Sequence, residues 1–273
     1  MKIQIFKPQN DKLKRHIDKF YILEQEASNE TVSYLSFPNP YSIISSFEKV
    51  RLKRSPNRMH FDYNPNGPLI SDLTLSYKKP ILISYKGTIK EISICFNPLG
   101  IHSFFSDIQK QSPYITSYVP YPEFEQEMAE VLHCSDANKL ISQLECFLLT
   151  KLSNFTHPFL FEFVDDISNS SDFSISYLAN KYEVSKKTLI KHSKKYLNRT
   201  PSEFKKVIRF RKAINEHLFS ENEFKSLTEI SNTVSFFDQA HMIKDFKAMT
   251  GYAPRSFFNR IESSYGKFIW IYL

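Results

Sequence analysis

Slid against itself by 53 residues, the C-terminal third of this chain finds a partner for one of its own segments. Residues 185–204 read SKKTLIKHSKKYLNRTPSEF, and residues 238–257 read DQAHMIKDFKAMTGYAPRSF. Both begin with a residue suited to cap a helix, Ser185 or Asp238. Both close on a residue tolerant of left-handed backbone, Asn198 or Gly251, followed three positions later by Pro201 or Pro254. A short helix precedes each copy, with Leu178-Ala179 matched by Ile230-Ser231. Helix, tight turn and second helix, twice over, make a tandem helix-turn-helix.

The residues shared by the two copies say what the helices are for. Ile190-Lys191 matches Ile243-Lys244, Lys194 matches Lys247, and Pro201 and Phe204 match Pro254 and Phe257. At about 100° per residue, Leu189, Ser193 and Tyr196 share one face, and Met242, Phe246 and Met249 do likewise. Those are the predicted core faces. Lys187, Ile190, Lys191 and Lys194 lie opposite, as do Ala240, Ile243, Lys244 and Lys247. Three shared positions thus fall on outward faces, where packing does not dictate them.

Charge concentrates in the same place. Residues 181–212 hold 12 Lys and Arg against 2 Asp and Glu, a surplus larger than the +7 of the whole chain. The remainder is therefore net acidic. A DNA duplex rewards such concentration, because each neutralised phosphate releases condensed counterions. A solvated lysine face accounts for the charge but not for the repeat. The connecting helix, residues 202–220, spans about 28 Å at ~1.5 Å per residue. Two helices reading one face of B-DNA lie roughly 34 Å apart, so the connector suits successive major-groove segments.

Ile230-Ser231, Phe236-Phe237-Asp238-Gln239-Ala240-His241, Phe246-Lys247, Thr250-Gly251 and Pro254 resemble the signature of the AraC/XylS family of bacterial transcription regulators. The first unit fits the same pattern with Leu178-Ala179, Ser185, Thr188-Leu189, Pro201 and Arg209, Arg211, Lys212 and Ala213. The resemblance covers residues 159–260. It departs at Ser235, where the family usually has glycine, and at Met242, where it usually has phenylalanine. A serine held at positive φ costs about 1 kcal/mol against glycine.

By face and by this resemblance, Lys187, Ile190 and Lys191 are expected to meet bases in one groove segment. Gln239, Ala240, Ile243 and Lys244 are expected in the next. Lysine donates to guanine, glutamine pairs with adenine, and isoleucine and alanine suit a thymine methyl. Lys186, Lys194 and Lys247 are the expected phosphate contacts, with His241, which points sideways, as a packing residue or a further phosphate contact.

The first hundred residues read as strands. Residues 70–77 (ISDLTLSY), 81–85 (ILISY) and 91–96 (EISICF) are short apolar or alternating runs, with a turn signal at Asn64-Pro65-Asn66-Gly67-Pro68 and a further strand candidate at 41–47. These predict a mostly antiparallel sheet. From about Pro120 the period becomes helical, with Phe124, Met128, Val131 and Leu132 on one face and Leu140, Leu144, Phe147 and Leu148 on another. His16-Ile17-Asp18-Lys19-Phe20-Tyr21, Phe37-Pro38, Ile94-Cys95-Phe96-Asn97-Pro98-Leu99-Gly100 and Phe104-Phe105 are similar to a sensor-like domain that precedes this module in some family members. That resemblance implies a β-rich, cupin-like domain used for effector binding or dimerisation, without identifying ligand residues.

The expected fold is thus α+β. A β-rich, cupin-like domain with C-terminal helices occupies residues 1–152, an all-α tandem helix-turn-helix residues 153–262, and an apolar tail residues 263–273 that packs back onto the protein. The expected partners are double-stranded DNA, RNA polymerase, and an effector or a second copy of the chain at the N-terminal domain. Cys95, Cys134 and Cys146 are odd in number and widely spaced, which predicts buried thiols in a reducing compartment. No signal peptide or membrane-length apolar run is visible, so a cytoplasmic protein is expected.

The rival classes have less to stand on. Among eight histidines none forms an HxH or HxxxH pair, so a cupin-like metalloenzyme would need partners such as His60 and His102 to meet in space. A reactive cysteine cluster is absent, and neither a catalytic site, a metal nor a cofactor is expected. The nearer alternative is an interaction or sensor protein whose module has lost specific DNA binding, given Ser235 and Met242.

Overall fold

Alternation with period two dominates the N-terminal half of the computed structural model, which describes residues 1–27, 29–105, 108, 114–169, 174–219, 226–234, 236, 238–265 and 268–272. Its strands are β1 (Lys2–Phe6), β2 (Ile17–Gln25), β3 (Thr31–Ser36), β4 (Ser42–Phe47), β5 (Val50–Ser55), β6 (Arg58–Tyr63), β7 (Ile70–Thr74), β8 (Ile81–Lys86), β9 (Ile89–Phe96) and β10 (Tyr114–Thr116). A single helical turn, α1 (Asp11–Lys14), links β1 to β2 and is capped by Asn10. Helices α2 (Phe124–His133) and α3 (Ala137–Lys151) close this half.

The strands form two sheets, ordered β1-β2-β9-β4-β7-β10 and, counting two C-terminal strands, β11 (Glu262–Tyr265) and β12 (Phe268–Tyr272), β11-β12-β3-β8-β6-β5. Pairing is antiparallel except between β6 and β8, which run parallel. Alternate residues of β2 and β9 sort to opposite sides, as the pleat requires. Tyr21, Leu23 and Cys95 join Phe47, Phe61 and Tyr85 between the sheets. Phe20, Ile22, Ile92 and Ile94 face outward and are covered by Phe124, Met128, Leu132, Leu144 and Leu148 of α2 and α3. The fold is α+β, as expected.

The cysteines correct one expectation. Cys95 is buried, but Cys134 is half-buried and Cys146 exposed, and all three are free. Cys146 lies on the side of α3 away from Leu144 and Leu148, which supply the core.

The C-terminal half is helical: α4 (Leu160–Asn169), α5 (Ile175–Lys181), α6 (Lys186–Leu197), α7 (Pro201–Phe219), α8 (Leu227–Thr233), α9 (Gln239–Thr250) and α10 (Pro254–Phe258). Two cores meet along α7. Phe204 and Ile208 pack with Leu160, Phe163, Leu178, Leu189 and Leu197 around the first unit. Phe210 and Ile214 pack with Ile230, Met242, Phe246 and Phe257 around the second. Each core also takes side chains from the N-terminal half, Leu99 in the first and, in the second, Phe37, with Leu35 packed against that core. Beyond α10 the backbone forms β11 (Glu262–Tyr265) and β12 (Phe268–Tyr272), and β12 pairs with β3 through Trp270↔Ser36, Ile271↔Leu35 and Tyr272↔Tyr34.

Candidate nucleic-acid interface

Caps fix where the two repeated helices begin. Ser185 Oγ accepts the Thr188 N–H at 3.0 Å at the start of α6, and Asp238 Oδ1 accepts the His241 N–H at 2.6 Å at the start of α9. Both helices end in left-handed geometry, at Asn198 (φ 54°) and Gly251 (φ 81°). Open space surrounds Gly251, so its backbone angle alone selects glycine. The preceding turns also match. Val184 N–H donates to Ala179 O, and Phe236 N–H to Ser231 O, each at 3.0 Å. The first turn holds Glu183 at φ 54°. Ser235, the expected point of strain in the second, lies outside the described residues.

With the helix ends fixed, packing sets their rotation. Leu189 and Ser193 of α6 are fully buried, as are Met242 and Phe246 of α9, with Met249 nearly so. Tyr196 is half-buried. The opposite faces meet solvent. Lys186, Lys187, Ile190, Lys191 and Lys194 are exposed on α6, and Gln239, Ala240, Lys244 and Lys247 on α9. Among the described residues, Ile190, 37% exposed, is one of the few large apolar side chains that face water. Ile243 and His241 are half-buried. Gln239 Nε2 donates to Thr228 Oγ1 of α8 at 3.0 Å, which steadies its amide at the helix entrance. The His241 ring stands edge-on to Phe236, 5.7 Å between centroids, with Nε2 3.4 Å from Asp245 Oδ2.

The basic stretch divides into two kinds of residue that composition does not separate. Its lysines on α6 are exposed, whereas its three arginines turn inward. Arg199, 3% exposed, donates from Nη2 to Tyr77 O at 3.3 Å. Arg209, 7% exposed, reaches Asp245 Oδ2 at 3.3 Å. Arg211 donates to Phe37 O at 2.5 Å and Pro38 O at 2.8 Å. The arginines therefore bind the protein to itself, and the lysines of α6 form the outward charge.

Several of these bonds seat the helical half on the sheets. Beside the Arg199 and Arg211 contacts, Ser76 Oγ donates to Asn198 O at 3.2 Å, Lys78 pairs with Glu203 at 2.5 Å, and His102 Nε2 meets Tyr196 O at 2.8 Å. Phe37 packs edge-on to Phe257 at 4.9 Å. Gly100 allows a similar approach within the N-terminal half, since a Cβ there would lie 2.1 Å from His16 O.

Between the sheets is a cavity of about 70 Å³, lined by Lys19, Tyr41, Asp72, Glu91 and Arg211 among others. Glu91 accepts the hydroxyls of Tyr21 and Tyr85, each at 2.6 Å, and that of Ser93 at 2.7 Å. Burial pushes the Asp72 carboxyl above its ordinary value despite its pairing with Arg54. Burial also pulls Lys19 down, with Asp18 3.4 Å away and the Tyr41 ring 5.4 Å from Nζ. The lining mixes these polar groups with apolar ones such as Phe47 and Phe61, and Arg211 brings α7 into its wall.

Histidine positions differ from the pairing considered from sequence. His60 is bonded to Asp62 and His102 to Tyr196 O, so these two do not meet. The pair that does meet, His157 with His192 at 2.8 Å, was invisible to local spacing because 35 positions separate its members. Among the described residues no three His, Cys, Asp or Glu side chains are placed to hold a metal, and no helix is long and apolar enough to cross a membrane.

Residues 178–260 match the family model described as a helix-turn-helix domain. None of the curated proteins compared matches the chain. Among solved structures, ToxT from Vibrio cholerae at 1.65 Å resolution aligns with 88% of this chain and 97% of its own, at 12% identity and TM-score 0.46. ToxT from strain O395 bound to (E)-4-(8-methylnaphthalen-1-yl)but-3-enoic acid covers 95% and 99% at 12% identity and TM-score 0.46. Unsaturated fatty acid bound ToxT from strain SCE256 covers 88% and 94%, also at 12% identity and TM-score 0.46.

Proposed function

We propose that this chain, whose residues 178–260 form an AraC-type helix-turn-helix domain, is a transcription regulator that reads one duplex site with two helices, α6 and α9. The observation that carries the reading is the twofold match of ends and faces. Two helices with equivalent caps and equivalent left-handed stops expose the same Ile-Lys pair, partly in α9, and the same following lysine. The 19 residues of α7 separate them by a helix of about 28 Å, suited to successive major-groove segments.

Lys187, Ile190 and Lys191 read bases in one segment, and Gln239, Ala240, Ile243 and Lys244 in the next. Lys186, Lys194, Lys247 and His241 meet phosphates and set the register. The N-terminal domain binds a small polar effector in the cavity between its sheets or joins a second copy of the chain. Support for the effector comes from Arg211, which belongs to the connector α7 and lines that cavity. Acting in the cytoplasm with RNA polymerase, the chain couples this occupancy to the placement of α6 and α9.

Selection of duplexes from a random library by the full chain tests the reading. Two related half-elements about one helical turn apart are expected, because the reading faces share residues. Lys191→Ala then relaxes sequence preference in one half, whereas Lys194→Ala weakens all duplexes alike and lowers the salt slope by about one. Equal affinity for selected and random DNA at several salt concentrations refutes it.

A further inference from the structure

The repeat that aligns α6 with α9 sets His192 opposite Asp245, and neither lies on the reading face. His192 Nδ1 is 2.8 Å from Nε2 of His157, in the segment leading into α4. Asp245, 1% exposed, is faced by Lys206 Nζ at 3.2 Å and Arg209 Nη2 at 3.3 Å, both on α7, and by His241 Nε2 at 3.4 Å. Each reading helix is thus tied, at the same repeat position, to chain that precedes its own helix-turn-helix. The chemistry of the two ties differs.

The first tie leaves no room for an added proton. His157 Nδ1 accepts the backbone N–H of Leu160 at 3.1 Å and lies 3.4 Å from that of Phe159, so this nitrogen is unprotonated. The His157 proton is therefore on Nε2, which donates to an unprotonated His192 Nδ1. A proton added to His157 breaks its cap on α4, and one added to His192 breaks the bond between the rings.

The surroundings oppose a charge there as well. Lys191 and Lys195 of α6 act on the pair. Tyr196 packs beside it, its ring 5.1 Å from that of His157, with the His102 ring 5.3 Å from Tyr196. Phe159, against both histidines, stacks on Tyr182, whose hydroxyl is bonded to Asp166 of α4, a carboxylate also held by Lys181. Burial, His192 and Lys195 lower His157 to about 4, and burial lowers His192 too. A histidine lowered in the fold contributes stability that is complete above its unfolded value near 6.5 and is lost as pH falls towards the folded value.

We propose that position 192/245 anchors each reading helix, and that acidification releases the first anchor, His157–His192, while the second, Asp245 with Lys206 and Arg209, holds. His157, His192, Asp245 and Arg209 are positioning residues: they act on DNA through the helices they fix. The inference rests on the DNA-binding reading above. A chain built this way loses one half of its site between pH 6.5 and 4 and keeps the other.

The test uses the full chain and its library-selected duplex, with each half assigned by Lys191→Ala and Lys244→Ala. Between pH 7.5 and 4, mutations in the half read by α6 should lose at least tenfold of their effect on affinity, and those in the other half less than twofold. The His157→Gln, His192→Gln double variant, whose amides donate and accept without titrating, should show a flat profile. Asp245→Asn should impair the α9 half at every pH. Equal pH response of the two halves, or a parental profile in the double variant, overturns the proposal. Imidazole NMR of the free protein separates this failure from that of the DNA reading: both rings should titrate below 6.5, and either one titrating at or above it overturns the anchor whether or not any duplex is selected.

Discussion

Replacing Arg211 by methionine sets two physical effects against each other at the joint between the sheets and α7. The guanidinium donates to Phe37 O and Pro38 O. Phe37 O keeps a second donor, the Tyr77 hydroxyl at 2.6 Å, so only the Pro38 carbonyl loses the partner seen here. A hydrogen bond from a charged donor contributes about 1.5–3 kcal/mol. Against this, burial lowers the Arg211 pKa, a sign that the cation is poorly solvated, and methionine removes that penalty. With one bond fully lost and one partly compensated, the net cost is about 2 kcal/mol, or roughly thirtyfold in the opening equilibrium. Hydrogen exchange of the full chain, read on peptides covering β3 and α7, should show opening about thirtyfold more frequent in Arg211→Met. Lysine at this position should recover part of the protection, since it restores one donor. Exchange that is unchanged or slower in Arg211→Met would mean that desolvation outweighs the bonds, and the role assigned to Arg211 would be wrong.

Other substitutions probe single contacts. Ser185→Ala and Asp238→Ala each remove a helix cap and should cost about 1 kcal/mol in urea unfolding, with Asp238→Ser close to the parent. Gly100→Ala forces a Cβ against His16 O and should lower stability by about 3 kcal/mol; an unchanged urea midpoint would contradict the close approach. A thiol reagent should label Cys146 in the native protein, whereas Cys95, whose thiol is pushed up to about 12 by burial, should react only on unfolding. Labelling of both at one rate would refute the assigned packing.

What could be read in the sequence was what local chemistry fixes. Caps, left-handed stops and helical faces depend on residues a few positions apart, so Ser185, Asp238, Asn198 and Gly251 announced both helices. Strands β4, β7, β8 and β9 were legible because apolar residues recur along them in short or alternating runs. β5, at the sheet edge, and β6 beside it were not, since Arg51, Lys53, Arg54 and Arg58 mask their alternation. The basic stretch gave the region of charge but not its division, because an arginine aimed at a backbone carbonyl looks in sequence like one aimed at solvent. His157 with His192 and Arg209 with Asp245 depend on how whole helices pack, which no local spacing encodes.

The pairing of β12 with β3 has a mechanical consequence. The helical domain leaves the sheets after α3 and returns to them at β11, so it is held at two separate points of one body. A domain on a single linker can swing through a wide cone. One held at two points, with both attachments intact, has its large rotations confined to the axis joining them. An occupant of the inter-sheet cavity that shifted Arg211 would then turn α6 and α9 together about a line fixed by the chain itself. Unzipping β12 would free the domain from that axis, making the last strand the latch on its range of motion.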